Sequence, residues 1–198
     1  KEVQAYRLAG VENDHECSTA EEVLDKLRAG LHIYVREGSG AKNLETLIKT
    51  MLDAGVCLDR CAFCTDDKHV EEIRKEGHIS TCIRKAIALG VPVAKAYKMG
   101  SYQAAEFYGL KNYGAIGAGY RADIVFLDDL EQVRPLDVMK DGRILTEEDY
   151  AKDYSVPVPD ELLHTVHVGE VTKEKIRLSC DGKTDVIQML SLIHISEP

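Results

Sequence analysis

The sequence predicts an α/β fold, a partial (β/α)8 barrel of parallel strands leading into a small β-rich segment. Three observations carry this. Short apolar runs alternate with stretches of helical spacing. Each of three runs ends in polar, ligand-type residues: Asp14-His15-Glu16, Arg36-Glu37-Gly38-Ser39 and Thr65-Asp66-Asp67. Near Gly109 the helical pattern gives way to strand and hairpin signals. Barrel enzymes assemble their sites from the C-terminal ends of parallel strands, so ligand-type residues recurring at strand-to-helix junctions point to such a site.

Taken in order, residues 9–16 predict a short strand, and Ser18-Thr19-Ala20-Glu21 a capping box with Ser18 as N-cap and Glu21 reaching back. The helix then runs through Val23, Leu24 and Leu27 to Gly30. Residues 31–36 are β-prone and end before Gly38-Ser39-Gly40, after which Leu44, Leu47, Ile48, Met51 and Leu52 recur at helical spacing. Residues 61–65 form a short buried-strand pattern, and Ile79, Cys82, Ile83, Ala86 and Ile87 mark a further helix. Strand-helix alternation in this order implies parallel pairing. Asp141-Gly142, between Met139 and Ile144, supplies the two positive-φ positions of a tight hairpin. Beyond Tyr150 the periodicity fades; residues 165–168 and 175–178 are candidate strands, and residues 157–163 read as a loop rich in turn formers.

Lys and Arg number 25 against 34 Asp and Glu, a net charge of −9, which disfavours nucleic acid as a partner because backbone contact needs clustered cations. A small-molecule ligand is the expectation. No apolar run approaches the roughly 20 residues of a membrane span, and the chain starts without Met or a signal-peptide core, so a soluble cytoplasmic protein is expected. A whole eight-stranded barrel takes about 250 residues. At 198 residues the chain is therefore expected to be an internal fragment. Residues 191–198, Ser-Leu-Ile-His-Ile-Ser-Glu-Pro, look like a translated sequencing adapter, the alternative being an ordinary C-terminus.

Four clusters in the same order and spacing resemble the adenine deaminases of the amidohydrolase superfamily: residues 10–19 around Asp14-His15-Glu16, Arg36-Glu37-Gly38-Ser39 with Lys42-Asn43-Leu44, Thr65-Asp66-Asp67-Lys68-His69, and Glu76-Gly77-His78-Ile79. Residues 114–128 are similar to the segment by which amidohydrolases leave the barrel for their β-domain. The resemblance implies barrel strands six to eight with their helices in residues 1–112, a β-domain segment in 113–150, and a linker with the start of the next region in 151–190. It implies hydrolysis of adenine to hypoxanthine and ammonia by a homo-oligomeric parent that uses a divalent metal, manganese or iron. His15 would be a metal ligand, and Asp66 both a ligand and the catalytic proton carrier. The other ligands of the family would lie upstream, leaving this chain inactive by itself.

Alternatives stand beside several of these roles. By residue type, Asp66 or Asp67 serves equally well as the N-cap of the next helix. Asp67 lies either against the purine or in solvent. Arg36 and Glu37 either orient substrate, since an Arg-carboxylate contact is directional, or form a surface ion pair. His78 is expected to face the site; His32, His69, His164 and His167 are expected to be structural or solvated. A rival function comes from Cys57-x-x-x-Cys61-x-x-Cys64, which looks like the iron-sulfur motif of radical S-adenosylmethionine enzymes. Against it, Cys61 and Cys64 belong to an apolar run, where Cys acts as a small hydrophobe. A third possibility is a non-catalytic metal-binding module. Disulfides are not expected from these spacings.

Overall fold

The computed structural model describes residues 2–152, 155–177, 179 and 182. The chain divides into two units, residues 1–145 and 146–198. The first unit runs α1 (Glu2–Leu8), β1 (Asn13–Asp14), α2 (Ala20–Arg28), β2 (His32–Arg36), α3 (Leu44–Asp53), a 3-10 turn (Leu58–Arg60), β3 (Cys61–Cys64), α4 (Val70–Glu76), α5 (Ile79–Ala88), α6 (Val93–Gly100) and α7 (Tyr102–Phe107). It continues into β4 (Ile124–Leu127), β5 (Pro135–Lys140) and β6 (Arg143–Ile144). β1, β2 and β3 form one parallel sheet in that order, and β4, β5 and β6 form an antiparallel one.

The two sheet faces separate by the two-residue period of a strand. Ile33, Val35, Cys61 and Phe63 point to the face covered by helices, where Leu44, Leu47, Ile48 and Met51 of α3 and Cys82, Ile83 and Ala86 of α5 complete a dry core. The 3-4-7 spacing of the α3 residues gives one continuous apolar stripe, so burying it on β2 and β3 is what fixes this helix. On the opposite face, the register pairs Tyr34 with Ala62 and Arg36 with Cys64. The lower part of that face is closed by α7: the Phe107 ring stacks on His32 at 3.8 Å and meets Tyr34 edge-on at 5.8 Å.

Several boundaries depart from the sequence expectation. β1 keeps only two residues of the expected eight: the turn after α1 at Gly10, φ +96°, takes its start, and the Asp14 side chain, accepting from the Glu16 amide at 2.8 Å, turns the chain at its end. The N-cap of α2 is Thr19, not Ser18: Thr19 Oγ1 accepts from the Glu22 amide at 3.3 Å and Glu22 answers the Thr19 amide at 3.1 Å. Ser18-x-x-Glu21 and Thr19-x-x-Glu22 are overlapping boxes, and the second also lets Glu22 accept from the Ser18 amide at 2.9 Å. The N-cap of α4 is His69, so neither Asp66 nor Asp67 caps a helix. The hairpin between β5 and β6 turns on Asp141 (φ +52°) and Gly142 (φ +79°), the paired positive angles of a tight turn.

The second unit contains α8 (Glu147–Ala151), α9 (Asp160–Leu163) and α10 (Lys173–Ile176). α9 replaces part of the expected loop; Asp160 and Glu161 suit the positive end of a helix that follows Pro159. Residues 165–168 form no strand, and 173–176 are helical because Thr172 Oγ1 accepts from the Lys175 amide at 3.4 Å. Leu178 and residues 191–198 lie outside the described residues. Among the described residues no helix is long and apolar enough to cross a membrane.

Candidate active site

Parallel pairing places the C-terminal ends of β1, β2 and β3 side by side, so the clusters that follow them meet along one rim of the sheet. A cavity of about 410 Å³ opens there, and its lining includes His15, Tyr34, Cys64, Thr65, Asp66 and His78. Asp66 has φ +45°, a left-handed conformation that Asp enters more readily than most residues. The turn sends two consecutive carboxylates apart. Asp66 lines the cavity, while Asp67 reaches the loop between β2 and α3.

Arg36 ties the rim together. Its Nη1 donates to Glu16 Oε2 at 2.7 Å and to Asp66 Oδ2 at 3.1 Å, while Nε and Nη2 both donate to Asn43 Oδ1 at 3.2 Å. Burial works against the Arg36 charge, yet the Glu16 and Asp66 carboxylates outweigh it and raise the guanidinium pKa above its usual value. The planar fork is what lets one side chain hold three partners. His78 Nε2 lies 2.7 Å from Thr65 Oγ1, and His15 Nε2 lies 3.4 Å from Glu16 Oε1. His15, Arg36, Asp66 and His78 are thus brought to neighbouring positions on the rim or in the cavity.

Glu37 and Asp67 point elsewhere. Glu37, 4% exposed, is turned toward α5, where its Oε1 meets Lys85 Nζ at 2.5 Å. Asp67 accepts from the backbone amides of Ser39 at 3.2 Å and Gly40 at 2.8 Å. Partial burial disfavours the Asp67 charge, but these amides outweigh it and lower its pKa. Asp14 likewise serves its own turn, accepting from the Glu16 amide at 2.8 Å and pairing with Lys26 at 3.1 Å.

The iron-sulfur expectation is not supported. Cys61 and Cys64 are three residues apart on one strand and therefore face opposite sides of the sheet: Cys61 is in the core beside Met51 Sδ at 3.6 Å, and Cys64 lines the cavity. Burial raises the Cys61 thiol to about 12 and the Cys64 thiol to about 11, which keeps both protonated near neutral pH. Exposed Cys57 bonds Asp59 at 3.0 Å instead.

Among the described residues no three His, Cys, Asp or Glu side chains converge as a metal would need. His15 and Asp66 offer two donors, whereas a catalytic centre takes three or more protein ligands. The described residues do not by themselves make a metal site, and they give no support to an independent metal-binding module. The sequence assigns no individual role to Asn43, Thr65 or Tyr34. Tyr34 carried a usable signal, its position two residues before Arg36 on the same strand face.

The sequence profile of the amidohydrolase family matches residues 1–145. The chain is 40% identical over 190 residues to a protein named adenine deaminase from Desulfitobacterium hafniense, covering 96% of this chain and 33% of the relative. It is 40% identical over 193 residues to one from Clostridium acetobutylicum, with the same coverages of 96% and 33%. The chain thus spans about a third of the length of these curated relatives. Among solved structures it is similar to a β-aspartyl dipeptidase of Fervidobacterium islandicum, with a TM-score of 0.53 and 19% identity over 70% of this chain and 39% of the other. That likeness shows the fold alone.

Proposed function

The chain belongs to the amidohydrolase family, and we propose on that premise that it is the part of an adenine deaminase barrel carrying strands six to eight, here β1 to β3. Residues 1–112 would close the barrel, 113–150 would begin the β-domain, and 151–190 would lead into the following region. The observation that carries the reading is the placement of His15 and Asp66 in one cavity at the ends of parallel strands. Likeness to proteins named adenine deaminase along nearly the whole chain supports the substrate.

The complete protein converts adenine and water to hypoxanthine and ammonia. Divalent metal, manganese or iron, is the proposed cofactor; His15 and Asp66 would each contribute a ligand, on different ions in the family arrangement, and the remaining ligands would lie outside this chain. When bound, the metal would supply activation of water for nucleophilic attack near neutral pH. The Asp66 carboxylate accepts a proton from the attacking water and delivers it to the leaving amine. Arg36 fixes the direction of that carboxylate. His78 faces the substrate. The setting we propose is a cytoplasmic homo-oligomer acting on a small molecule.

The test is adenine turnover by the complete metal-loaded polypeptide, followed as hypoxanthine and ammonia together. Equal formation of both supports the reading, and a folded, metal-loaded protein that leaves adenine untouched overturns it. Bound metal should fall in His15→Ala; unchanged metal content removes His15 from the ligand set.

A further inference from the structure

We propose that Asp67 is a positioning residue, a clamp between two loops that holds Arg36 against Asp66. The inference rests on the reading of Asp66 as the reacting carboxylate. It differs from the expectation that Asp67 touches the purine or solvent.

The loop after β2 closes on itself, with Glu37 bridged to Lys42 and the Gly38 amide donating to Ala41 O at 2.9 Å, and side-chain contacts join it to the loop after β3. Asp67 supplies two, accepting from Ser39 at 3.2 Å and from Gly40 at 2.8 Å. Ser39 returns the contact: its Oγ accepts from the His69 amide at 2.9 Å and donates to Glu72. Gly38 packs directly on the Asp67 carboxylate, and any side chain there would overlap Oδ1. The clamped loop starts at Arg36 and ends at Asn43, whose Oδ1 receives two of the Arg36 donors and whose amide donates to Arg36 O at 3.1 Å. Both ends of the loop therefore meet at the guanidinium that donates to Asp66. Loss of the clamp loosens the loop that carries Asn43, leaving Arg36 held by Glu16 but its guanidinium no longer fixed in direction against Asp66.

The experiment uses the complete metal-loaded polypeptide. Asp67→Asn keeps the size of the side chain but turns one acceptor into a donor facing an amide. Expected is a fall in kcat of about 10- to 100-fold, the usual cost of a displaced supporting group, with KM for adenine within about threefold. Gly38→Ala, which displaces the same carboxylate from the other side, should give the same split. In an Arg36→Lys background, Asp67→Asn should cost little more, because both changes act through one guanidinium. Unchanged kcat, a raised KM at unchanged kcat, or losses that multiply in the double variant would each overturn the clamp. Amide exchange separates this from the deaminase reading. Ser39 and Gly40 should exchange slowly and accelerate at least tenfold in Asp67→Asn whatever the substrate; equal exchange in both proteins overturns the clamp, and absent adenine turnover overturns only the deaminase reading.

Discussion

Arg36 Nη1 donates to Asp66 Oδ2 at 3.1 Å while the same guanidinium holds Asn43 and Glu16. The side chain of Arg36 is only 11% exposed, so little water competes for these bonds. One flat cation thereby links the rims of β1, β2 and β3. A lysine offers a single nitrogen and cannot reach Asn43 and both carboxylates in the same geometry.

Arg36→Lys in the complete polypeptide should therefore lower adenine turnover by about 10- to 100-fold while preserving charge and fold. Steady-state kinetics with thermal melting distinguish the cases. Full activity with a normal melt would remove Arg36 from the site.

Lys85 and Glu37 give a stability prediction. Glu37 has a side chain 5% exposed, and Lys85→Met would leave its carboxylate buried without a counter-charge. The expected loss is about 2–3 kcal/mol, below that of a fully buried pair because water reaches Lys85. Denaturant melts measure it, and the Lys85→Met, Glu37→Gln double variant should regain most of the loss. A neutral Lys85→Met would contradict the pairing.

Glu22 gives a pH dependence. Amides of Ser18 and Thr19 lower its pKa from 4.5. A carboxylate whose folded pKa is depressed stabilises the fold above its unfolded value and loses that contribution as pH falls through the folded value. The stability advantage over Glu22→Gln should be full at neutral pH and shrink below about pH 4.5. Melts of both proteins across this range test it; a gap that widens on acidification would contradict the cap.

Much of this was legible in the sequence, and the failures share a cause. The β2, β3 and α3 patterns and the Asp141-Gly142 turn are local signals, and each appears where its residues imply. The choice of Thr19 over Ser18 was not legible, since two hydroxyl residues precede two glutamates at the same spacing and only the way the chain leaves β1 separates them. Nor was the direction of Glu37 and Asp67. Glu37 finds Lys85 48 positions away, and Asp67 finds Gly40 27 positions away. Motif membership brought both near the rim, while packing of distant loops decided where each carboxylate points.

The chain by itself should not convert adenine, even with manganese or iron supplied, because His15 and Asp66, on different ions in the family arrangement, cannot complete a coordination sphere. Ammonia release is the measurement. Release in proportion to the purified chain, and lost in Asp66→Asn, would show that a complete site forms from these residues.

Adenine turnover by Asp66→Asn in the complete, metal-loaded polypeptide decides whether this carboxylate takes part in the reaction. The substitution keeps the shape of the side chain but removes the ionisable group to which we assign proton transfer between water and amine. Turnover should fall by about 100- to 10,000-fold with the fold intact. Turnover near that of the unaltered protein would contradict the role of Asp66 and, with it, the site.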